Sequence, residues 1–320
     1  MAADGGGRSV INPPDLAELQ PILSDLGLAP PRAITGLAGG SDAAFRLDLA
    51  DGTTLVLKTY DDLTGKAPAG ESYATGLLAN LDLPVARYLL RDETCTRLPF
   101  RYAITTYLRG SAVATFRDDP EIIALYREMG ALLRRLHTIR LPGFGHFDAD
   151  GVCHPVPDNA TYMLGLAEHA FAQFRKYGAS DKLATRLEAI VSARSDLFTQ
   201  SRGPVFAHDD LHPNNVLADR DPDGRLHVTG VIDFGNARAA DPIFDLAKTL
   251  FICEHDAPGS AAPIREGYGD IDLPDPEAAL WLYTLLHRVV MWWWLRHVGV
   301  LPEAGRSELI VALEQMAAST

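Results

Sequence analysis

The sequence has few cysteines and shows no pattern of paired ones. Its 320 residues include Cys95, Cys153 and Cys253, which lie far apart and lack the spacing of metal ligands. A chain with so few cysteines is typical of a reducing compartment, so the sequence predicts a cytoplasmic protein. Residues 1–10 lack the apolar core of a signal peptide and are expected to form a flexible tail.

A long uninterrupted apolar run is also missing. The longest candidate, residues 280–300, contains two arginines and two histidines, which disfavours a membrane span. We expect a buried helix there, with Trp292, Trp293 and Trp294 packed in a core. The sequence also lacks a Walker-type phosphate loop, because Gly65-Lys66 is not followed by serine or threonine.

Basic residues are in the minority. The chain has 29 lysines and arginines against 42 acidic residues, a formal charge of −13, which disfavours nucleic-acid binding. Residues 241–280 hold nine acidic and two basic side chains. This segment is either a solvated loop face or a surface that attracts a cationic substrate. Nothing in the sequence indicates an obligate protein partner.

The order of predicted elements indicates an α+β protein with two lobes. Short alternating runs before residue 107 predict an antiparallel sheet, with a hairpin turn at Asp51-Gly52. Helical spacing dominates afterwards, beginning with a helix that Asp119-Pro120 is expected to cap. We therefore predict a small sheet lobe over 1–107 and a larger, mainly helical lobe over 108–320.

Two polar clusters each adjoin a short apolar run. The first is His208-Asp209-Asp210-Leu211-His212-Pro213-Asn214-Asn215, and the second is Val231-Ile232-Asp233-Phe234-Gly235-Asn236. Buried carboxylates need a partner, and a bound cation is the simplest one. Phosphoryl transfer requires a carboxylate at the attacking hydroxyl and oxygen ligands for Mg²⁺. Asp210 and Asn215 have the five-residue spacing of a kinase catalytic loop, and Asp-Phe-Gly follows 18 residues later.

These two clusters, in this order, resemble the aminoglycoside phosphotransferase family, which includes choline, homoserine and fructosamine kinase relatives. The resemblance implies a bilobal, protein-kinase-like fold that uses ATP and Mg²⁺ to phosphorylate a hydroxyl of a small molecule. It assigns Asp210 as the catalytic base and Asn215 and Asp233 as Mg²⁺ ligands. It further implies that His208, His212 and Asp245 support the loop.

The same resemblance implies a nucleotide site in the first lobe. Lys58, on a predicted strand, would reach the phosphates and pair with Glu71 thirteen residues later. The small-residue loop and the hinge would also contact the nucleotide, through Gly39, Gly40, Ser41, Thr106, Tyr107 and Leu108. Asp209 stands where the family usually has glycine, and Asp42 places an unexpected carboxylate in the phosphate loop.

Charge alone indicates a cationic acceptor such as an aminoglycoside, with Glu254, Asp256, Asp270 and Asp272 as candidate contacts. A neutral sugar or a hydroxy amino acid stays open as the acceptor. A protein acceptor is disfavoured because no Ala-Pro-Glu element follows Asp-Phe-Gly. Two other functions stay open: a non-catalytic nucleotide-binding scaffold, and a metal-dependent phosphohydrolase that uses His208, Asp209, Asp210 and His212.

Overall fold

The computed structural model describes residues 11–37, 43–61, 65–79, 81, 83–301 and 307–319. Two sequence predictions lie outside these ranges. They are the flexible tail at 1–10 and the phosphate loop with Gly39, Gly40, Ser41 and Asp42.

A five-stranded antiparallel sheet forms the first lobe, in the order β1-β2-β3-β5-β4. The predicted alternation is confirmed in β2 and β3, where every second side chain is buried. Helix α1 packs on β1, and α2 follows β3. The elements are α1 Leu16–Asp25, β1 Pro31–Gly36, β2 Ala44–Leu49, β3 Thr54–Tyr60, α2 Pro68–Leu77, β4 Tyr88–Asp92 and β5 Arg101–Thr106.

Helices dominate the second lobe, together with two small sheets. The helices are α3 Ile122–Leu136, α4 Asn159–Lys176, α5 Asp181–Ala193, α6 Pro242–Asp256, α7 Ala261–Tyr268, α8 Pro276–His297 and α9 Glu308–Ala318. One sheet has the order β10-β9-β6 and the other β7-β11-β8. Their strands are β6 Ser111–Ala112, β7 Gly145–His146, β8 Val205–Ala207, β9 Val216–Arg220, β10 Leu226–Val231 and β11 Arg238–Ala240.

Two separate cores are buried. One lies between α1 and the five-stranded sheet and includes Leu47, Leu57 and Ile104. The other fills the helical part and also takes in Ala74 and Leu78 at the end of α2. Helix α2 therefore contacts both parts of the molecule, and its position depends on both. Of the helices formed by the described residues, none combines the length and apolarity that a membrane crossing requires.

Several boundaries differ from the sequence prediction. Residues 241–280, interpreted as a loop face, contain helices α6 and α7 and the start of α8. The N-terminus of α3 lies at Ile122, because Asp119 accepts a hydrogen bond from the Glu121 N–H before the helix starts. The prediction of a tryptophan core was partly wrong. Trp292 is buried, whereas Trp293 and Trp294 are partly exposed and line a cavity.

Candidate active site

The two polar clusters lie side by side because the strands that carry them are paired. The first cluster connects β8 to β9, and β10 runs antiparallel to β9 and leads into the second cluster. The Ile232 N–H donates to the Asn215 carbonyl at 3.0 Å, and the Ile232 carbonyl lies 3.2 Å from His208 Nε2. The His208 ring packs on Phe234, with ring centroids 4.7 Å apart. These contacts hold the two clusters side by side.

Asp245 is the anchor of the loop that precedes Asp210. Its side chain is completely buried and accepts hydrogen bonds from the N–H groups of His208 at 2.7 Å and Asp209 at 2.8 Å. His137 at the end of α3 lies 3.0 Å away through Nε2. A buried carboxylate is stable only when such partners surround it. The position of Asp245 thus couples α3 and α6 to the loop.

Asp209 and Asp210 have different surroundings. Asp209 is buried, lies 2.7 Å from Arg238 and 3.2 Å from Lys248, and has a left-handed backbone with φ of 52°. Burial acts to raise the pKa of its carboxyl, but Arg238 and Lys248 outweigh it, so the pKa is lowered. The left-handed backbone explains why glycine suits this position, and aspartate is among the residues that tolerate it.

The Asp210 carboxylate lines the cleft, with 22% of its side chain exposed. It accepts a hydrogen bond from Asn236 Nδ2 at 3.1 Å, and Lys248 Nζ lies 3.5 Å away. The Asn215 Nδ2 donates to the Asp210 backbone carbonyl at 3.0 Å. The carboxylate is therefore fixed in direction while its outer face stays open to the cleft.

A partly buried ion network links the sheet lobe to the second polar cluster. Lys58 Nζ lies 2.8 Å from Glu71 and 3.0 Å from Asp233, and Lys66 lies 3.2 Å from Asp233. Glu71 also accepts the Phe234 N–H at 3.0 Å and the Tyr60 hydroxyl at 2.8 Å. Burial opposes the charged form of Lys58, but Asp233 and Glu71 outweigh it and raise its pKa well above its usual value.

Asp233 is surrounded by positive charge. Its backbone is left-handed, with φ of 60°, which aims the side chain back into the cleft. Burial would raise the pKa of its carboxyl, but Lys58 and Lys66 lower it far below the usual range. Asp233 and Asn215 both line the cavity, and the Asn215 amide nitrogen is bonded to the Asp210 carbonyl, so its side-chain oxygen is not used in that bond. Oxygen ligands of this kind suit Mg²⁺, so the two residues fit the metal.

One cavity of about 1410 Å³ joins both regions. Thr106, Tyr107 and Leu108 line it at the junction of the lobes, near Val56 and Ile232. The Thr106 N–H is already bonded to the Arg87 carbonyl, at 2.9 Å. The predicted hinge and the two polar clusters therefore border the same space.

Four residues of the site have no role in the sequence prediction, although Asn236 stands in the second polar cluster. Lys66, Asn236, Arg238 and Lys248 all line the cavity and contact Asp209, Asp210 or Asp233. In the sequence, Lys66 stands only in the Gly65-Lys66 pair that does not form a Walker-type loop. Arg238 and Lys248 follow Asp-Phe-Gly closely, but no spacing rule connects them to Asp209.

The predicted acidic contacts do not come together, and none lines this cavity among the described residues. Glu254 accepts the Gly259 and Ala261 N–H groups beyond α6, and Asp272 lies 3.3 Å from Arg202. The Asp270 carbonyl accepts from Arg134. Asp256 is nearest, 3.8 Å from His212 Nδ1, and His212 lines the cavity.

The histidines and aspartates of the first cluster also do not assemble into a metal centre. His208 faces Ile232, His212 faces Asp256, and Asp209 is held by two cations. In the described part of the chain, no group of three or more histidine, cysteine or acidic side chains has the arrangement of a metal site. This geometry gives no support to the alternative of a His/Asp phosphohydrolase.

The two lobes, the shared cleft and the paired polar loops define the class as a kinase-like phosphotransferase fold. Solved structures agree. A thermostable aminoglycoside phosphotransferase APH(4)-Ia, in ternary complex with AMP-PNP and hygromycin B, aligns with a TM-score of 0.69 at 18% identity, covering 94% of this chain and 97% of that one. A putative fructosamine-3-kinase from Thermobifida fusca aligns with a TM-score of 0.65 at 19% identity, covering 94% and 99%. These likenesses establish the fold.

The family is established by sequence. The family model described as "Phosphotransferase enzyme family" matches residues 33–282. An aminoglycoside 3'-phosphotransferase from Streptomyces fradiae is 28% identical over 247 residues, which span 72% of this chain and 85% of that protein. The chain therefore belongs to the phosphotransferase enzyme family, and it is a small-molecule kinase. The resemblance and the fold predicted from the two polar clusters are confirmed.

Proposed function

We propose that this protein transfers the γ-phosphoryl group of ATP to a hydroxyl group of a small molecule. The observation that carries the proposal is the ion network of Lys58, Glu71 and Asp233 beside Asp210. In kinases a lysine–glutamate pair places the nucleotide phosphates, and a carboxylate across the cleft receives the acceptor. This chain has both groups in one cavity.

Asp210 is the proposed catalytic base. Its carboxylate orients the acceptor hydroxyl and takes its proton as the new O–P bond forms and the bond to ADP breaks. Asn236 fixes the direction of the carboxylate, and Lys248 lies within 3.5 Å to offset its charge. Most of the rate enhancement then comes from positioning and from charge neutralisation.

Lys58 is the proposed phosphate contact, held in place by Glu71 at 2.8 Å. Lys66 is positioned to add a second positive charge on the same side of Asp233. The hinge residues Thr106, Tyr107 and Leu108 are proposed to border the adenine. Gly39, Gly40 and Ser41 are proposed to cover the phosphates, on the family pattern alone.

Asn215 and Asp233 are the proposed Mg²⁺ ligands. The ion would supply positive charge that neutralises the phosphate oxygens. His208, His212 and Asp245 are proposed to support the loop; for Asp245 the support is its pair of hydrogen bonds to the loop N–H groups. The Cys95, Cys153 and Cys253 thiols are unpaired, which fits the cytoplasmic location proposed from the sequence.

The test is ADP release with Mg²⁺ and ATP across a panel of acceptors, comparing wild type with Asp210→Asn. We expect the variant to lose about 10²-fold to 10⁴-fold in kcat, because the hydroxyl proton then has no acceptor of suitable basicity. Affinity for Mg·AMP-PNP should change little, since Asp210 is not proposed to touch the nucleotide. Asp219→Asn, at an exposed position of β9, is the matched control.

Near-normal turnover by Asp210→Asn would falsify the assigned role. A protein that binds Mg·AMP-PNP tightly but releases no ADP from ATP with any acceptor of the panel would be a nucleotide-binding scaffold. Absence of nucleotide binding would contradict the kinase function as a whole.

A further inference from the structure

We propose that the acceptor is an uncharged alcohol with an extended apolar body and is not a polycation. This inference rests on the proposed function and concerns the part of the cavity beyond the sheet lobe. Helices α4 and α8 form that part. We call it the α4–α8 wall and define it by Tyr162, Leu166, Val290, Met291, Trp293 and Trp294, all of which line the cavity.

The wall is continuous with the catalytic loop. Arg238, which binds Asp209, lies over the Phe244 ring at 5.8 Å, and Phe244 packs on His287 of α8 at 4.2 Å between centroids. An acceptor that places a hydroxyl at Asp210 would therefore extend along α8. Its remaining surface would meet aliphatic and aromatic side chains.

The carboxylates that line the cavity are almost all neutralised. In the described part of the chain they are Glu71, Asp209, Asp210 and Asp233. Glu71 and Asp233 both contact Lys58, and Asp209 contacts Arg238 and Lys248. Asp210 remains, and its proposed role requires it to face a hydroxyl. A molecule with several ammonium groups would have to bury charges with no partner, which is strongly unfavourable.

The histidines that line the cavity do not reverse this conclusion, because a histidine side chain carries no negative charge. They are His146, His169, His212 and His287. Burial lowers the pKa of His287 to about 4, and Arg238 followed by burial lowers the pKa of His146 to about 4. The acidic side chains of 254–272 lie outside the lining. The described lining therefore has no net electrostatic attraction for a polycation. Burial of apolar surface against the wall is the available source of affinity for the acceptor.

Apolar burial gives a measurable length dependence. Each buried methylene contributes enough to raise affinity about threefold to fourfold. Octyl β-D-glucoside and methyl β-D-glucoside carry the same hydroxyls and differ only in apolar length. The longer compound should bind at least about tenfold more tightly, even if only two methylenes reach the wall.

The experiment measures binding to the wall by the full chain saturated with Mg²⁺ and AMP-PNP, so that the adenine region is filled. The probe is N-phenyl-1-naphthylamine, a neutral apolar dye whose fluorescence rises on burial. We expect saturable binding, displaced by octyl glucoside below its micelle concentration and at least tenfold less well by methyl glucoside. Kanamycin, a polycation, and choline, a single cation, should not displace it at millimolar concentration.

The matched variants are Leu166→Glu, on the wall, and Leu164→Glu, which lies two residues away on α4 and is 44% exposed outside the lining. We expect Leu166→Glu to weaken probe binding at least tenfold and Leu164→Glu to leave it unchanged. Met291→Glu replaces Leu166→Glu if that variant unfolds, since Met291 also lines the cavity and is partly exposed.

Two results would overturn the inference: displacement of the probe by kanamycin or choline in preference to octyl glucoside, or no probe binding at all. Both are separable from failure of the proposed function. Mg·AMP-PNP binding and Asp210-dependent ADP release are measured on the same samples. If those two fail, the kinase function is wrong; if they hold while the probe result is reversed, only the acceptor class is wrong.

Discussion

Asp209 and Asp210 are chain neighbours with the same side chain, and the fold places them in opposite situations. Asp209 is buried between Arg238 and Lys248, whereas Asp210 opens into the cleft. The left-handed backbone at Asp209 produces the change of direction. The sequence selected Asp210 through its spacing to Asn215. The partners that remove Asp209 from the chemistry became visible only in the structure.

His287 is one of the residues for which the structure predicts a pH effect on stability. Its Nε2 lies 2.8 Å from the Phe244 carbonyl, so the neutral ring donates a hydrogen bond there. Burial is the main cause of its lowered pKa of about 4; Asp209 opposes this shift, and Lys248 and Arg238 add to it. Because the folded pKa is below the unfolded value, this contribution to stability is complete above about pH 6.5 and declines as the pH falls toward 4.

We expect the wild-type free energy of unfolding to fall by about 2 kcal/mol between pH 7 and pH 5 through His287 alone. His287→Gln keeps a hydrogen-bond donor and cannot titrate. Between pH 7 and pH 5 the free energy of unfolding of this variant should fall by about 2 kcal/mol less than that of the wild type. Urea unfolding at both pH values measures the difference. Equal losses for the two proteins would show that His287 is not held neutral by the fold.

At the scale of elements, the dipeptide Asp-Pro occurs at three helix starts and behaves in two ways. At Asp241 and Asp275 the side chain accepts N–H groups of the first turn, and the proline opens the helix. At Asp119 the helix begins later, at Ile122. The sequence prediction uses only Asp119-Pro120 as a helix start. It does not use Asp241-Pro242 or Asp275-Pro276, and it therefore misses α6 and the first turn of α8.

The crossing of α3 and α7 depends on two glycines. A Cβ at Gly130 would lie 1.9 Å from the Ile264 carbonyl oxygen, and one at Gly267 would lie 1.9 Å from that of Arg127. The helices therefore approach closely enough to exclude any side chain at these points. His137 directly follows the last residue of α3 and contacts Asp245, so this crossing also bears on the catalytic loop.

Gly130→Ala should destabilise the protein by about 2 kcal/mol or more, because the backbones must separate. Gly76→Ala is the matched control. Gly76 lies exposed in α2 with no atom within 4 Å of an added Cβ, so alanine there should stabilise by up to about 1 kcal/mol. Thermal unfolding of both variants and the wild type measures the two changes in stability. A neutral Gly130→Ala would mean that the helices can move apart without loss.

At the scale of the molecule, ion pairs between charged side chains cross the cleft. Lys58 belongs to the sheet, Glu71 to α2, and Asp233 to the loop after β10. The network connects parts that have separate cores. A nucleotide bound in the cleft would contact both parts, so binding should stabilise the whole chain.

Mg·AMP-PNP at 100 times its Kd should stabilise the protein by about 2.7 kcal/mol, or roughly 5 °C in Tm. In Asp233→Asn the part of this shift that depends on Mg²⁺ should disappear, because the amide is a weaker ligand; asparagine also tolerates the left-handed backbone. Calorimetry with and without Mg²⁺ separates the two parts. A full Mg²⁺-dependent shift in the variant would exclude Asp233 as a ligand.

The sequence by itself determined the two-lobed α+β fold and the spacing of Asp210, Asn215 and Asp233. These features depend on local pattern: alternating burial in β2 and β3, and polar residues directly after short apolar strands. The pairing of β9 with β10 then brings the two clusters together, because each cluster adjoins one of these strands. The Lys58–Glu71 contact was also predicted, because the two residues lie only thirteen positions apart on adjacent elements.

The tertiary structure decided which charges are neutralised and what the acceptor meets. Lys248 reaches Asp209 across 39 positions in the chain, and Lys66 reaches Asp233 across 167, so no local pattern could connect them. The acidic segment 241–280 supplied charge in the sequence, but its capping bonds and ion pairs direct much of that charge away from the cleft. Helix packing instead placed the apolar side chains of α4 and α8 there, because a side chain's neighbours are set by how the helices pack.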